Sequence, residues 1–70
     1  MPKFTTFYFN GQQYSTTFSM TIKDLINYFG YKSVLFVIEY NNYICNQNEW
    51  NKIRINENDK IELITIVGGG

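Results

Sequence analysis

Histidine and alanine are absent from this chain of 70 residues, and cysteine and arginine each occur once. Without histidine the chain has neither a Ser/His/Asp triad, nor a Cys–His pair, nor a His-ligated metal. The single cysteine, Cys45, excludes an internal disulfide and a four-cysteine zinc site. We therefore expect no metal site and no ordinary catalytic constellation.

An excess of one charge sign and long apolar runs are missing as well. Six basic residues balance six acidic ones, which argues against a protein drawn to nucleic acid or membranes by its charge. No apolar run reaches the ~7–15 residues of a signal peptide or the ~18 of a membrane helix. We expect a soluble protein in a reducing compartment.

Large apolar side chains are abundant: 44% of the residues are apolar and 19% are aromatic. A domain this small buries only about 60% of the surface that its unfolded chain exposes, so these side chains must form a compact core. The frequent residues Phe, Tyr, Ile, Asn and Lys have AT-rich codons, which indicates the AT-biased genome of a bacterium or an organelle. The expected location is the bacterial cytoplasm or the plastid stroma.

The first 30 residues predict a β-hairpin followed by a helix. An aromatic strand over residues 4–9 leads into Asn10-Gly11, the strongest short hairpin signal, and residues 12–18 form the returning strand. Apolar residues at i, i+3, i+4 and i+7 then predict an amphipathic helix over residues 21–29. Its capping signals are Thr21, Asp24 and Gly30.

The second half predicts further strands. The nearly continuous apolar run up to Tyr40, over residues 34–40, is typical of a strand buried on both faces in the interior of a sheet. Residues 43–45 predict a short edge strand, residues 46–52 a helical turn, and residues 60–67 a strongly β-branched last strand. The fold class is α+β, a mixed sheet of four or five strands with one main helix on one face and the last strand beside the first.

Three glycines, Gly68, Gly69 and Gly70, follow the last strand directly. Glycine enters narrow channels and is costly to order, so we expect a flexible tail (residues 68–70) on a domain of residues 1–67. Such a tail suits a carboxyl group that must reach a nucleotide in another enzyme's cleft. A carboxylate is a poor acyl donor until it is activated, typically by adenylation, which makes this chain a substrate and not an enzyme.

Four segments carry a family resemblance. They are residues 7–11, residues 20–26, Glu49-Trp50 with Ile53, and residues 59–63 leading to the glycines. Together they resemble the ubiquitin-like sulfur carriers of the ThiS family of thiamine biosynthesis, which implies a β-grasp fold. The resemblance also implies that a ThiF-type adenylyltransferase uses ATP to adenylate Gly70, with no cofactor bound to the carrier itself.

The remaining steps are implied by the same resemblance. Sulfur from a cysteine desulfurase or another donor converts Gly70 to a thiocarboxylate, and a ThiG-type thiazole synthase accepts it; Gly68 and Gly69 serve channel entry. A carrier of the molybdopterin-synthase small-subunit type, a ubiquitin-like protein modifier and a plain interaction module remain alternatives.

Alternation along the last strand places Glu62, Ile64 and Ile66 on one face. If the first strand pairs with the last, Tyr8 joins them, and we expect these four residues to form a docking patch for partner enzymes. A second candidate interaction surface is an acidic strip for a basic partner, formed by the carboxylates of Glu57, Asp59 and Glu62.

Four single residues have structural interpretations. Cys45 lacks a neighbouring base and is interpreted as a buried or half-buried thiol. Trp50 is expected as a core or cap aromatic, Asp24 as a capping residue and Asp59 as a turn former.

Overall fold

The computed structural model describes residues 3–31 and 35–65. Within these ranges the chain forms five strands and one α-helix, together with a short 3-10 helix at Gln47–Glu49. Their bounds are β1 Thr5–Phe9, β2 Gln12–Thr16, α1 Ile22–Phe29, β3 Phe36–Tyr40, β4 Tyr43–Cys45 and β5 Lys60–Thr65. No helix in this part of the chain has the length and apolar composition needed to cross a membrane.

The strands form a single mixed sheet in the order β2-β1-β5-β3-β4. β1 and β5 run parallel, and the other neighbouring strands are antiparallel. The predicted mixed sheet, with the last strand beside the first, is therefore confirmed. β5 lies at the centre of the sheet, so the strand that leads into the glycine tail is held from both sides.

The local signals of the hairpin and the helix are confirmed. Asn10 and Gly11 have φ angles of 52° and 81°, as a two-residue turn between right-twisted strands requires. The N–H of Asp24 donates to Thr21 Oγ1 at 3.1 Å, and the N–H of Thr21 donates to Asp24 Oδ2 at 3.0 Å. Gly30 ends the helix at φ 79°, a conformation that costs glycine little.

The core lies between α1 and one face of the sheet. The helix contributes its apolar stripe, and four strands, β1, β3, β4 and β5, contribute side chains that point towards it. The buried apolar residues are Phe7, Phe9, Ile22, Leu25, Ile26, Ile38, Cys45, Trp50, Ile55 and Ile61.

β2 ends at Thr16, earlier than the predicted end at residue 18. The N–H of Phe18 donates to Thr16 Oγ1 at 3.1 Å, and this side-chain turn competes with continuation of the strand. Phe18 is consequently 77% exposed.

The prediction that β3 is buried on both faces is wrong. Only Ile38 is fully buried, while Val37 and Glu39 on the opposite face are partly exposed. The reason is that α1, the one α-helix of the described residues, covers a single face of the sheet. Leu35 precedes the strand and is 70% exposed, and Val34 lies outside the described residues.

Candidate functional site

The glycines Gly68, Gly69 and Gly70, together with Ile66, lie outside the residues that the structure describes. What the structure shows is the strand that carries them. β5 is paired with β3 over five residue pairs, as far as Thr65 opposite Phe36. The chain is thus fixed in the sheet up to five residues before Gly70.

Asn10 extends the hold on β5 beyond the end of β1. Its N–H donates to the carbonyl oxygen of Ile61 at 2.9 Å, and its side-chain Oδ1 accepts from the N–H of Leu63, also at 2.9 Å. The side chain therefore replaces the backbone acceptor that β1, which stops at Phe9, no longer supplies. The sequence pattern predicts Asn10 as a turn residue only, because this second role depends on the register between β1 and β5.

Asp59 fixes the other end of β5. It is 7% exposed, and its carboxylate accepts from the Tyr40 hydroxyl at 2.6 Å, from Asn41 Nδ2 at 3.0 Å and from the Asn56 N–H at 2.6 Å. The turn role is confirmed by the bond to Asn56. Burial, reinforced by the hydrogen bond to Asp59, raises the pKa of Tyr40 to about 12.

The structure brings three of the four predicted docking residues to one sheet face. Tyr8 is opposite Lys60 in the β1–β5 pair, and alternate residues of a strand share a face, so Tyr8 lies with Glu62 and Ile64. Tyr8 is half-buried, Glu62 is exposed and Ile64 is 41% exposed. A shallow cavity of about 260 Å³ lies between Tyr8, Gly11, Lys60 and Glu62.

The register adds residues that the sequence analysis missed. Glu39 of β3 lies directly opposite Glu62, and Ile44 of β4 lies opposite Glu39. Ile44 is 49% exposed. Two carboxylates therefore face each other at the centre of an open face that also presents Ile44 and Ile64; we call it the outer face.

The candidate acidic strip does not form. Asp59 is buried, and Glu57 Oε1 accepts a hydrogen bond from the N–H of Thr6 at 2.8 Å. Only Glu62 of the three carboxylates lies on the outer face. Its acidic neighbour is Glu39, which is distant in sequence and was not recognisable without the strand register.

Cys45 and Trp50 have the predicted structural environments. Cys45 is 4% exposed and its Sγ donates to the carbonyl oxygen of Ile38 at 3.4 Å. Burial raises the pKa of this thiol, which disfavours the nucleophilic thiolate. Trp50 is buried and stacks on Phe36 at a ring distance of 5.2 Å. Among the described residues, no group of three His, Cys, Asp or Glu side chains is placed to hold a metal ion.

Known proteins resemble this chain in sequence and in fold. An uncharacterized protein, ycf40, from Trieres chinensis is 58% identical over 65 residues, covering 93% of this chain and 89% of that protein. A thiazole synthase from Paramagnetospirillum magneticum is 30% identical over 61 residues, which make up 87% of this chain and 19% of that protein.

The crystal structure of the thiamine biosynthesis protein ThiS from Geobacter metallireducens matches with a TM-score of 0.79, over 93% of this chain and 99% of that chain, at 16% identity. It shares the ubiquitin-like β-grasp fold. The model of the ThiS family matches residues 7–70. With almost its whole length covered, the chain belongs to the ThiS family of ubiquitin-like sulfur carriers.

Proposed function

We propose that this chain is the sulfur carrier for thiazole formation in thiamine biosynthesis, and that its working group is the carboxylate of Gly70. The observation that carries the proposal is the family match, which extends through residue 70 and so includes the glycines. The chain itself is a covalent carrier and substrate, and residues 1–67 form the body that presents residues 68–70.

The proposed chemistry begins with activation. A ThiF-type adenylyltransferase joins the Gly70 carboxylate to the α-phosphate of ATP and releases pyrophosphate. A sulfur nucleophile, supplied by a cysteine desulfurase or another donor, then attacks the acyl carbon, and AMP leaves. Where the nucleophile is the outer sulfur of a donor persulfide, a second thiol cleaves the acyl disulfide that forms, which frees the Gly70 thiocarboxylate and leaves a disulfide on the donor. The carrier binds no cofactor in this cycle, because the partner enzyme consumes the ATP.

The anchoring of β5 suits this role. A carrier must present its terminal group at a fixed distance from a surface that partners recognise. β5 is central in the sheet, and Asn10 holds it as far as Leu63. Gly68 and Gly69 lack side chains, so they would pass a channel too narrow for a Cβ.

The acceptor of the sulfur is proposed to be a ThiG-type thiazole synthase. The thiazole synthase from Paramagnetospirillum magneticum contains a region similar to this chain within its own much longer sequence, which supports a shared pathway. The AT-rich composition is in keeping with an organelle genome, and we place the carrier in the plastid stroma.

The outer face is the proposed docking surface for the adenylyltransferase. Tyr8, Glu62 and Ile64 lie on it, and Ile64 is close to the end of the strand that leads to Ile66 and the tail. Exposed apolar side chains around a charged centre are typical of a surface with a protein partner.

The sulfur-transfer step distinguishes the proposed function from the molybdopterin and protein-modifier alternatives. The carrier would be charged with sulfur and then offered in parallel to thiazole synthase and to the large subunit of molybdopterin synthase. We expect thiazole synthase to return Gly70 to the carboxylate and to form the thiazole. Discharge by molybdopterin synthase alone, or the appearance of lysine conjugates, would replace the proposal with one of the two alternatives.

A further inference from the structure

A groove lined by aromatic side chains lies between β2 and α1, and it is separate from the outer face. Its volume is about 420 Å³, and Phe7, Tyr14 and Phe29 contribute to its lining. Phe18 and Tyr28 stand on its rim and are each 77% exposed. A concave apolar surface of this size is typical of a binding site, and exposed aromatic rings beside it favour a partner.

The groove runs along an edge of the sheet that is free of any strand formed by residues 3–31 and 35–65. β2 is the outermost strand, with β1 as its neighbour. In a two-residue hairpin the residues next to the turn form a hydrogen-bonded pair, here Phe9 and Gln12, and every second residue of β2 then also points its backbone to β1. The N–H and C=O groups of Gln13 and Ser15 consequently point away from the sheet.

This edge lacks the usual protection against strand addition. Natural edges carry charged residues or proline, contain bulges or are very short. β2 has the sequence QQYST, with no charge and no proline, and it pairs with β1 over five consecutive residues without a bulge. The opposite edge strand, β4, has only three residues.

The charge in the groove specifies the occupant further. Of the described residues that line it, Asp24 is the only charged one. Its Oδ2 accepts from the N–H of Thr21 in the capping box, which leaves Oδ1 for another donor. Aromatic faces and a carboxylate together favour a cation, and arginine combines stacking on rings with hydrogen bonding to carboxylates.

We propose that the free edge of β2 and the aromatic groove bind an extended segment of a partner protein, which adds to the sheet as a strand and places an arginine between the rings of Phe18 and Tyr28 and the carboxylate of Asp24. Backbone hydrogen bonds to Gln13 and Ser15 supply affinity, and the groove supplies selectivity. The site lies on the helix side of the sheet, so its partner and a partner on the outer face can occupy the chain at the same time.

The test uses the full chain, labelled with ¹⁵N, and blocked peptides as probes. The peptide acetyl-Thr-Val-Thr-Arg-Thr-Val-Thr-amide presents one arginine and two valines on one face of a strand, and its matched control has glutamate in place of arginine. We expect amide shifts at Gln13, Ser15 and Tyr28, and about tenfold weaker binding of the glutamate peptide.

Two variants with matched controls separate binding from folding. Ser15→Pro removes an outward N–H without breaking a backbone hydrogen bond to β1; it also removes the side-chain bond between Ser15 Oγ and Thr6 Oγ1 at 3.1 Å. Ile44→Lys alters the opposite edge strand. Asp24→Asn removes the carboxylate. Thr21→Ala weakens the same capping box but keeps the Asp24 carboxylate. We expect Ser15→Pro and Asp24→Asn to bind the arginine peptide about tenfold more weakly, and both controls to bind as the parent does.

Three results would overturn the proposal. Equal binding of the two peptides would show that the groove does not recognise arginine. Amide shifts at Ile44 instead of Ser15 would show that the peptide does not bind at the edge of β2. Concentration-dependent dimers of the free chain that Ser15→Pro abolishes would assign the edge to a second copy of this chain.

Discussion

Among the residues that the structure describes, asparagine provides most of the left-handed backbone conformations. Asn10, Asn41, Asn42 and Asn58 all have positive φ angles, between 49° and 70°. Asparagine tolerates this region better than other residues with a Cβ. The abundance of asparagine in the sequence thus has a conformational use, and the side chains of Asn10 and Asn41 additionally hydrogen-bond to β5 or to the residue before it.

At the residue scale, replacement of Asp59 should destabilise the fold most clearly. Asp59→Ala leaves the donors of Tyr40, Asn41 and Asn56 without their acceptor, so we expect urea unfolding to show a loss of about 3 kcal/mol. Tyr40→Phe removes one of these bonds and should cost about 1 kcal/mol. Equal stability of Asp59→Ala and the parent would show that the three bonds contribute nothing.

The pH dependence of stability reports on the same carboxylate. The pKa of Tyr40 is about 12 in the folded chain, against 10.0 for an unperturbed tyrosine. A raised pKa means that the contribution of Tyr40 is complete below pH 10 and is lost as the pH rises from about 10 to about 12. Ultraviolet titration should show one tyrosine ionising near pH 12 that disappears in Tyr40→Phe. A parent titration without that late step would contradict the assignment.

At the scale of elements, the helix cap and the acidic pair on the outer face determine local stability. Thr21→Ala removes the acceptor of the Asp24 N–H and should lower the free energy of unfolding by about 1 kcal/mol. Thr21→Ser keeps a hydroxyl and serves as the control. A loss of similar size in both variants would show that the hydroxyl is not the cause.

The facing carboxylates of Glu39 and Glu62 should destabilise the free domain. Like charges directly opposite on a sheet are unfavourable, so Glu62→Gln should stabilise the free domain by about 0.5 kcal/mol, measured by urea unfolding.

A further charge on the outer face should weaken docking. Ile64→Glu adds a third negative charge to this face and should weaken binding of the adenylyltransferase about tenfold, measured by calorimetry.

Asn48→Glu, which adds the same charge at an exposed position on the 3-10 helix, is the control for Ile64→Glu. Unchanged binding of a folded Ile64→Glu variant would show that the outer face is not the docking surface.

Sequence patterns predicted the elements that depend on neighbouring residues. The Asn10-Gly11 turn, the Thr21–Asp24 capping box and the position of the last strand beside the first were all accessible, because each is encoded locally or by simple topology. The acceptor role of Asn10, the buried partners of Asp59 and the Glu39–Glu62 pair were not. They depend on register between strands that are far apart in sequence, and the exposure of β3 depends on how much of the sheet one helix covers.

At the scale of the whole molecule, the fold and the tail should be separable. The buried core extends from Phe7 to Ile61, well before the glycines. Deleting Gly69-Gly70 should therefore change the free energy of unfolding by less than about 0.5 kcal/mol while abolishing sulfur transfer. A large loss of stability, or full sulfur transfer by the shortened chain, would contradict this division.

The central claim is that Gly70 carries the sulfur, and intact mass spectrometry tests it most directly. The chain would be incubated with a ThiF-type adenylyltransferase, ATP and a sulfur donor, with an established carrier as the positive control for the enzyme. We expect a mass gain equal to the exchange of one oxygen for one sulfur, located at Gly70 by fragmentation. An unchanged mass, with an enzyme that charges the control carrier, would contradict it.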